Sequence, residues 1–499
     1  MPAPTKKRQI PTPRSSKSAE EKPAAAKRPR RPDPQSGEIG IRVRMYRVGF
    51  GDCFLLTFPA EKSPVHVLID CGVFKGTSQT GDIGTLTDVV ANVIQETGGH
   101  VGLLVITHRH ADHIAGFSSC RDQFKGFAAD AIWFPVWESE YDDKAKKFQE
   151  DLTAVATGLQ SRFAMAISKG ADTSAYHSAE SMMFNATGIE PNGKGGTASN
   201  ATALKMLKND FGAKPEYYKA NDTPTVPESL AKAGLTARIF GPPPVDDIML
   251  MKLMDLKKGV GQYLAGASAA KAAAVFAPFD AGWTDEAGRS YPEEAFAEFG
   301  PRSKTTDGDP ESARRALEDA IGKAQPEAAL VAAAALNQFL NNQSLVILFT
   351  FKDRNLLFAG DAQGGNWEHW LYGTDTAVKA PTDELSAEAG ATLAHLDLYK
   401  MGHHGSTNAT PIPAVNAMAE GVVALCSTEV NVYGDGAKET DVPRGPLLDA
   451  IAGKGTLIRS DSIPVKVNGT TRAATVPLPN KPPAHGRIEA GKLWIDYFL

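Results

Sequence analysis

The chain has 499 residues, 42% of them hydrophobic, which is enough for one large core or two moderate ones. A formal charge of −5 excludes a uniformly basic nucleic-acid binder but leaves room for a local basic groove. Neither a signal-peptide core nor an apolar run of about 18 residues occurs, so the sequence reads as soluble, without membrane insertion.

The basic residues crowd into the head of the chain, where ten Lys and Arg stand against three acids in the first 35 positions. Repeated Pro, Ser and Ala with hardly an aliphatic side chain cannot bury enough surface to fold, so 1–38 is expected to be a disordered basic tail. Lys27-Arg28-Pro29-Arg30-Arg31 reads first as a solubilising run, with nucleic acid, an acidic partner or a nuclear import receptor as alternative contacts. Order is expected from about Ile39. Ile41 to Tyr46 alternates, Val48-Gly49-Phe50-Gly51-Asp52 makes a glycine-bracketed turn, and Cys53 to Phe58 returns as a second strand. His66 to Ile69 is the next strand, running into Asp70-Cys71-Gly72, and Leu86 to Ile94 can form a helix capped by Thr85 or Thr87.

Val101 to Ile106 reads as a buried strand, and at its end stands Thr107-His108-Arg109-His110-Ala111-Asp112-His113. The whole chain has 11 histidines, and three of them fall within this one hexapeptide. Packing does not call for such a density. Imidazole and carboxylate without thiolate suit zinc, manganese or iron, in a site more often catalytic than structural. A helix start follows at Ile114, then a strand from Ala131 to Pro135, with Glu138, Glu140 and Tyr141 near a cleft rim.

Residues 142–170 carry Phe148, Leu152, Val155, Leu159, Phe163 and Ile167 at helical spacing. Gly188 to Asn200 reads as a loop, Ala201 to Lys208 as a short helix, and Leu235 to Gly241 as a strand closed by Pro242 and Pro243. Residues 244–340 are too long for a connection and are read as a helical insertion that shapes access, elaborates the fold or forms a dimer surface. After it, Asn341-Asn342-Gln343-Ser344 leads into Leu345 to Thr350. Leu356 to Gly360 reaches Asp361, and Tyr399-Lys400-Met401-Gly402 reaches His403-His404-Gly405-Ser406. Val422 to Leu425 and Thr456 to Ile458 are further short apolar runs, and Trp494 to Leu499 is expected to be a last edge strand. Cys53, Cys71, Cys120 and Cys426 lack metal-site spacing, which favours free buried thiols and a cytoplasmic, reducing location.

His108, His110, Asp112 and His113 match the HxHxDH motif of the metallo-beta-lactamase superfamily, and Asp361 matches its bridging aspartate. The Val48 to Asp52 turn, the Asn-Asn-x-Ser run and His403-His404-Gly405-Ser406 resemble the hydrolase domain of ComEC-type competence proteins. The resemblance covers about 41–130, 235–243 and 341–465. It implies a metallo-beta-lactamase four-layer αββα sandwich of the α/β class. In that reading 39–243 and 341–499 are two halves of one domain, interrupted by the large insertion.

It further implies a dinuclear hydrolase with two divalent ions, Zn or Mn. His108 and His110 hold one, Asp112 and His113 the other, and Asp361 bridges them. His403 is expected to complete the second site, leaving His404 as proton donor or phosphate contact, and Asp112 to steer the water as well as bind metal. Asp70 is the family's bracing aspartate, and Asn342, Ser344, Lys400 and Ser406 are candidate supporting residues, Lys400 and Ser406 as phosphate contacts. The family's usual middle histidine is not evident, since no histidine lies between His177 and His369. His177 by long reach, Asn, water or substrate is left to complete the first site. The substrate implied is a phosphodiester, DNA foremost, so that the chain is a phosphodiesterase or nuclease; a small phosphoester hydrolase and a metal-binding scaffold are the alternatives.

Overall fold

A computed structural model describes residues 40–74, 85–150, 183–186, 200–245, 337, 339–373, 384–430, 432, 442–462, 465–467, 470–472 and 481–499. The expected basic tail (1–38), nearly all of the 244–340 insertion, most of the 142–170 helix and His177 lie outside these residues. Two mixed sheets form the fold. The larger takes strands β1 (Arg42–Tyr46), β2 (Phe54–Phe58), β3 (Val65–Ile69), β4 (His100–Val105), β5 (Ala128–Pro135) and β6 (Pro215–Tyr218), with β15 (Arg487–Ala490) and β16 (Trp494–Phe498) from the end of the chain. Its order is β15-β16-β1-β2-β3-β4-β5-β6. The smaller has the order β12-β11-β10-β9-β8-β7. It is built from β7 (Leu235–Gly241), β8 (Val346–Phe351), β9 (Arg354–Phe358), β10 (Leu398–Lys400), β11 (Val423–Cys426) and β12 (Thr456–Arg459). A separate hairpin pairs β13 (Val465–Val467) with β14 (Thr470–Arg472).

Each sheet is antiparallel on one side and parallel on the other. In the larger, β3 through β6 run parallel; in the smaller, β9 through β12 do. One apolar cluster joins the facing sides of the two sheets, with Met45, Phe54, Val67, Leu103 and Trp133 of the first against Ile239, Ile347, Phe349, Phe358 and Leu425 of the second. Helices α1 (Leu86–Thr97), α2 (Ala111–Ser119) and α3 (Asn200–Asn209) cover the outer face of the larger sheet, burying Val90, Val93, Phe117 and Leu207 there. A short helix α4 (Glu228–Ala233) follows and sends Leu230 into the cluster between the sheets. Helices α5 (Gly364–Tyr372), α6 (Ala387–Ala394), α7 (Ile412–Ala417) and α8 (Gly445–Lys454) cover the smaller sheet through Trp367, Leu393, Val415 and Ile451. The layers therefore run helices, sheet, sheet, helices.

Local chemistry explains several boundaries. Thr85 caps α1 in a full capping box with Asp88, and left-handed Gly98 ends it. The strand expected at the end of the chain forms, but not as an edge: β16 lies between β15 and β1. The Arg44 guanidinium grips Asp496 with two bonds of 2.7 Å and holds that register. All four cysteines are unpaired and buried. Among the described residues no helix is long and apolar enough to cross a membrane.

Candidate metal centre

The carboxyl ends of parallel strands from both sheets meet at one place, where open α/β sheets bind ligands. Asp70 follows β3, Thr107 to His110 follow β4, Asp361 follows β9, His404 follows β10 and Ser427 follows β11. Helix α2 begins at Ala111, earlier than the apolar pattern suggests, so Asp112 and His113 sit in its first turn.

Asp70, at φ 54°, is the brace of the histidine loop. Its carboxylate accepts from the Thr107 N–H at 2.8 Å and from the Thr107 hydroxyl at 2.6 Å, and it bonds His113 Nδ1 at 2.8 Å. Having donated to Asp70, the Thr107 hydroxyl is left to accept from His108 Nδ1 at 3.2 Å. His108 Nε2 is thereby bare and lies 3.0 Å from His110 Nδ1. At that distance the two nitrogens either share one N–H···N hydrogen bond or, both unprotonated, face a single cation. Burial holds the His108 pKa well below the ordinary imidazole value, helped by His113 and His110, and burial brings His110 to about 4.

On the other side stand Asp112, His113, Asp361 and His404, whose ligand atoms lie within 4.8 Å of one another. His113 Nε2 approaches Asp361 Oδ1 at 3.2 Å, an ion-pair distance without hydrogen-bond alignment. His404 Nδ1 bonds the Ser427 carbonyl at 2.8 Å, which turns its Nε2 toward Asp112 Oδ2 at 3.3 Å and Asp361 Oδ2 at 3.5 Å. Burial alone would discharge both rings. The surrounding carboxylates, Asp361 foremost, overcome it and raise His113 well above its ordinary value and His404 to about 10. For the Asp361 carboxyl, burial opposes ionisation, and His113 and His404 hold its pKa well below the usual range.

These residues fit divalent metal. His110 Nε2, Asp112 Oδ1, His113 Nε2, Asp361 Oδ1 and His404 Nε2 are all buried with no hydrogen-bond partner, which is costly unless something else binds them. The group of His108, His110 and Asp112 and the group of Asp112, His113, Asp361 and His404 share Asp112, and Asp361 Oδ2 lies 4.0 Å from His108 Nε2. Buried His and Asp groups here could thus hold metal ions.

The order of the two adjacent histidines is the reverse of the sequence expectation. His403 stays outside both groups: its Nδ1 bonds Ser406 Oγ at 2.6 Å and Gln363 Nε2 at 3.1 Å, and its Nε2 meets Asn341 Nδ2 at 3.1 Å. Left-handed backbone at both His403 (φ 43°) and His404 (φ 53°), rare for non-glycine residues, swings the second ring inward.

Lys400 also departs from expectation. Expected as a phosphate contact, it is buried and engaged within the protein: its Nζ pairs with Asp52, donates to the Gly360 carbonyl at 3.0 Å and lies 3.8 Å from Asp361 Oδ1. Ser406 serves His403 and donates onward to Asn408 at 2.8 Å. Ser344 Oγ accepts from the Asp361 N–H at 3.0 Å, while Asn342 Oδ1 accepts from the N–H groups of Gln363 and Asn366, at the start of α5. Gly360 is required beside them, because a Cβ there would stand 2.9 Å from the Cβ atoms of Ser344 and Thr107. Glu138 is buried and clamps Arg109 at 2.6 and 2.7 Å, whereas Tyr141 is 82% exposed.

Sequence reasoning singled out the Asn341-Asn342-Gln343-Ser344 run without foreseeing that Asn341 meets His403, and it missed Asp52 as the partner of Lys400 and also Asn185, Asn200 and Gln363. Only the Asp52 turn carried a local signal, its bracketing glycines. No protein-family model and no curated protein matches the chain.

Proposed function

We propose that the chain is a metal-dependent hydrolase of the metallo-beta-lactamase superfamily, with that family's αββα sandwich and two divalent ions, acting on phosphodiesters with nucleic acid foremost. The observation that carries this reading is the pair of buried ligand groups, joined through Asp112 and Asp361, at the seam where both sheets present their strand ends. His108 and His110 would hold one ion, His113 and His404 the other, with the two carboxylates between them.

Bound divalent ions would supply Lewis-acid chemistry, acidifying a water and neutralising charge that grows on a scissile phosphoryl group. The protein's own contribution is orientation. Asp70 and Thr107 fix the ring nitrogens that His113 and His108 present, and Ser427 does the same for His404. Asp112 Oδ1 has no hydrogen-bond partner within the protein, which supports a role for it in accepting a proton from an attacking water. His403 is less buried than the ligands and lies beside them, held by Ser406 on Nδ1, and it would meet a substrate oxygen only by giving up the Asn341 contact on Nε2.

The test is cleavage of end-labelled single- and double-stranded DNA, and of a chromogenic phosphodiester, by chelator-treated protein reloaded with Mn²⁺ or Zn²⁺. Metal-dependent cleavage that disappears in Asp361→Ala is the expected result. Bound metal with no phosphodiester cleavage would refute the substrate, and no bound metal would refute the hydrolase.

A further inference from the structure

The histidine loop has a capping problem that its own sequence does not solve. The first N–H groups of a helix need acceptors, ordinarily the side chain of a Ser, Thr, Asp or Asn at the N-cap. The N-cap of α2 is His110, which makes no side-chain capping bond. Its Nδ1 faces His108 instead.

The missing acceptor comes from far along the chain. Asn185 Oδ1 accepts from the Asp112 N–H at 3.1 Å. Asn200, the first residue of α3, donates Nδ2 to the Asn185 carbonyl at 2.9 Å and to the Arg109 carbonyl at 2.9 Å. Arg109 lies between the two facing histidines, and its guanidinium is held by Glu138. Asn185 and Asn200 are 6% and 3% exposed, so water does not substitute readily for either amide.

We propose that Asn185 and Asn200 are positioning residues for the metal centre. Asn185 caps α2 from outside because the cap residue is itself a ligand, and Asn200 fixes both Asn185 and the peptide between His108 and His110. Without the acceptor the first turn of α2 frays, and Asp112 and His113 lose their fixed directions. This rests on the reading of the cluster as a metal centre.

The test measures Zn²⁺ affinity of the full chain by competition with a chromophoric chelator, alongside the thermal midpoint of chelator-treated protein. Asn185→Leu and Asn200→Ala should each weaken binding about 10- to 100-fold, as loss of ligand-orienting contacts does elsewhere. Asn185→Asp keeps an acceptor at the helix N-terminus and should bind near the wild-type level. A role confined to packing would lower the midpoint and leave the affinity unchanged. Wild-type affinity in Asn200→Ala, or an equal loss in Asn185→Asp and Asn185→Leu, overturns the proposal. If Asn185→Leu does not fold, Asn200→Ala and Asn185→Asp still decide it. A wild-type chain that binds no Zn²⁺ overturns the metal reading itself, a result distinct from either.

Discussion

Replacing Lys400 by Met removes a buried positive charge while nearly preserving shape. Lys400 is 1% exposed, and its Nζ serves Asp52, the Gly360 carbonyl and, at 3.8 Å, Asp361. Burial works against the ammonium, yet Asp52 and Asp361 raise its pKa from 10.5 to about 12. The sign follows: this pair stabilises the fold fully below pH 10.5, and the contribution is lost only as pH rises through about 12. After substitution Asp52 is left with only the longer ion pairs to His404 Nδ1 at 3.6 Å and His113 Nδ1 at 3.8 Å. Removing one partner of such a pair costs about 3–5 kcal/mol. Urea unfolding of chelator-treated protein at pH 7, followed by tryptophan fluorescence, measures it. Asp52→Asn in the Lys400→Met background removes the orphaned charge and should recover at least half of the loss, a coupling that a double-mutant cycle isolates. A divalent ion near Asp361 should also offset part of the missing charge, so the stabilisation by Zn²⁺ is larger in Lys400→Met than in wild type. A single variant within about 1 kcal/mol of wild type, well below that range, or single effects that simply add in the double variant, would refute this account of Lys400.

Two further predictions concern the same seam. Protein stripped of metal should carry protons on His404, with its pKa near 10, and on His113, raised well above 6.5; their stabilising effect is present below pH 6.5 and is lost as pH rises through the raised values. Metal loading at pH 7 must displace these protons, so calorimetry in buffers of different ionisation enthalpy should show proton release. Affinity should rise about tenfold per pH unit for each proton displaced, and binding without proton release would contradict the charge states. Gly116→Ala should both destabilise the fold and weaken metal binding, because the new Cβ would stand 2.6 Å from Cys71 Sγ and 2.7 Å from the Cys71 carbonyl. Forcing α2 away from the end of β3 costs about 1–3 kcal/mol or more, and a thermal midpoint and metal content equal to wild type would show that the helix has room to move.

The strands and their ligand-bearing ends were legible because each is a short apolar run that stops at a polar cluster, a purely local signal. Thr85 was legible for the same reason, as a capping residue just ahead of an apolar run. What failed was non-local. The pattern of Trp494 to Phe498 says strand but cannot say that β15 and β1 flank it; that depends on Arg44 meeting Asp496 from the opposite end of the chain. Lys400 reads as a phosphate contact from its neighbours alone, because nothing local says that the Asp52 turn folds onto it. The choice between His403 and His404 turns on two consecutive left-handed residues, a strained conformation that neither side chain favours and that only the surrounding structure enforces. Nothing near Asn185 in the sequence marks it as the cap of a helix more than seventy residues earlier, and nothing near Asn200 ties it to Arg109.

The placement of the charges also bears on how the two sheets stay together at their polar edge. His108, His110, Asp112 and His113 belong to the larger sheet and its helix, whereas Asp361 and His404 belong to the smaller. Ions held between them would therefore tie sheet to sheet, not merely occupy a loop. The Lys400–Asp52 pair crosses the same seam, with Lys400 on β10 and Asp52 at the entrance to β2. It is a fixed cation that no chelator removes. A seam carrying Asp52, Asp70, Asp112 and Asp361 with no permanent positive charge would repel itself whenever metal dissociated. With Lys400 and protonated His113 and His404 in place, the edge can keep its shape through loss and recovery of the ions. Metal binding would then exchange ring protons for metal charge within a site already built, without the cost of folding the ligands into position.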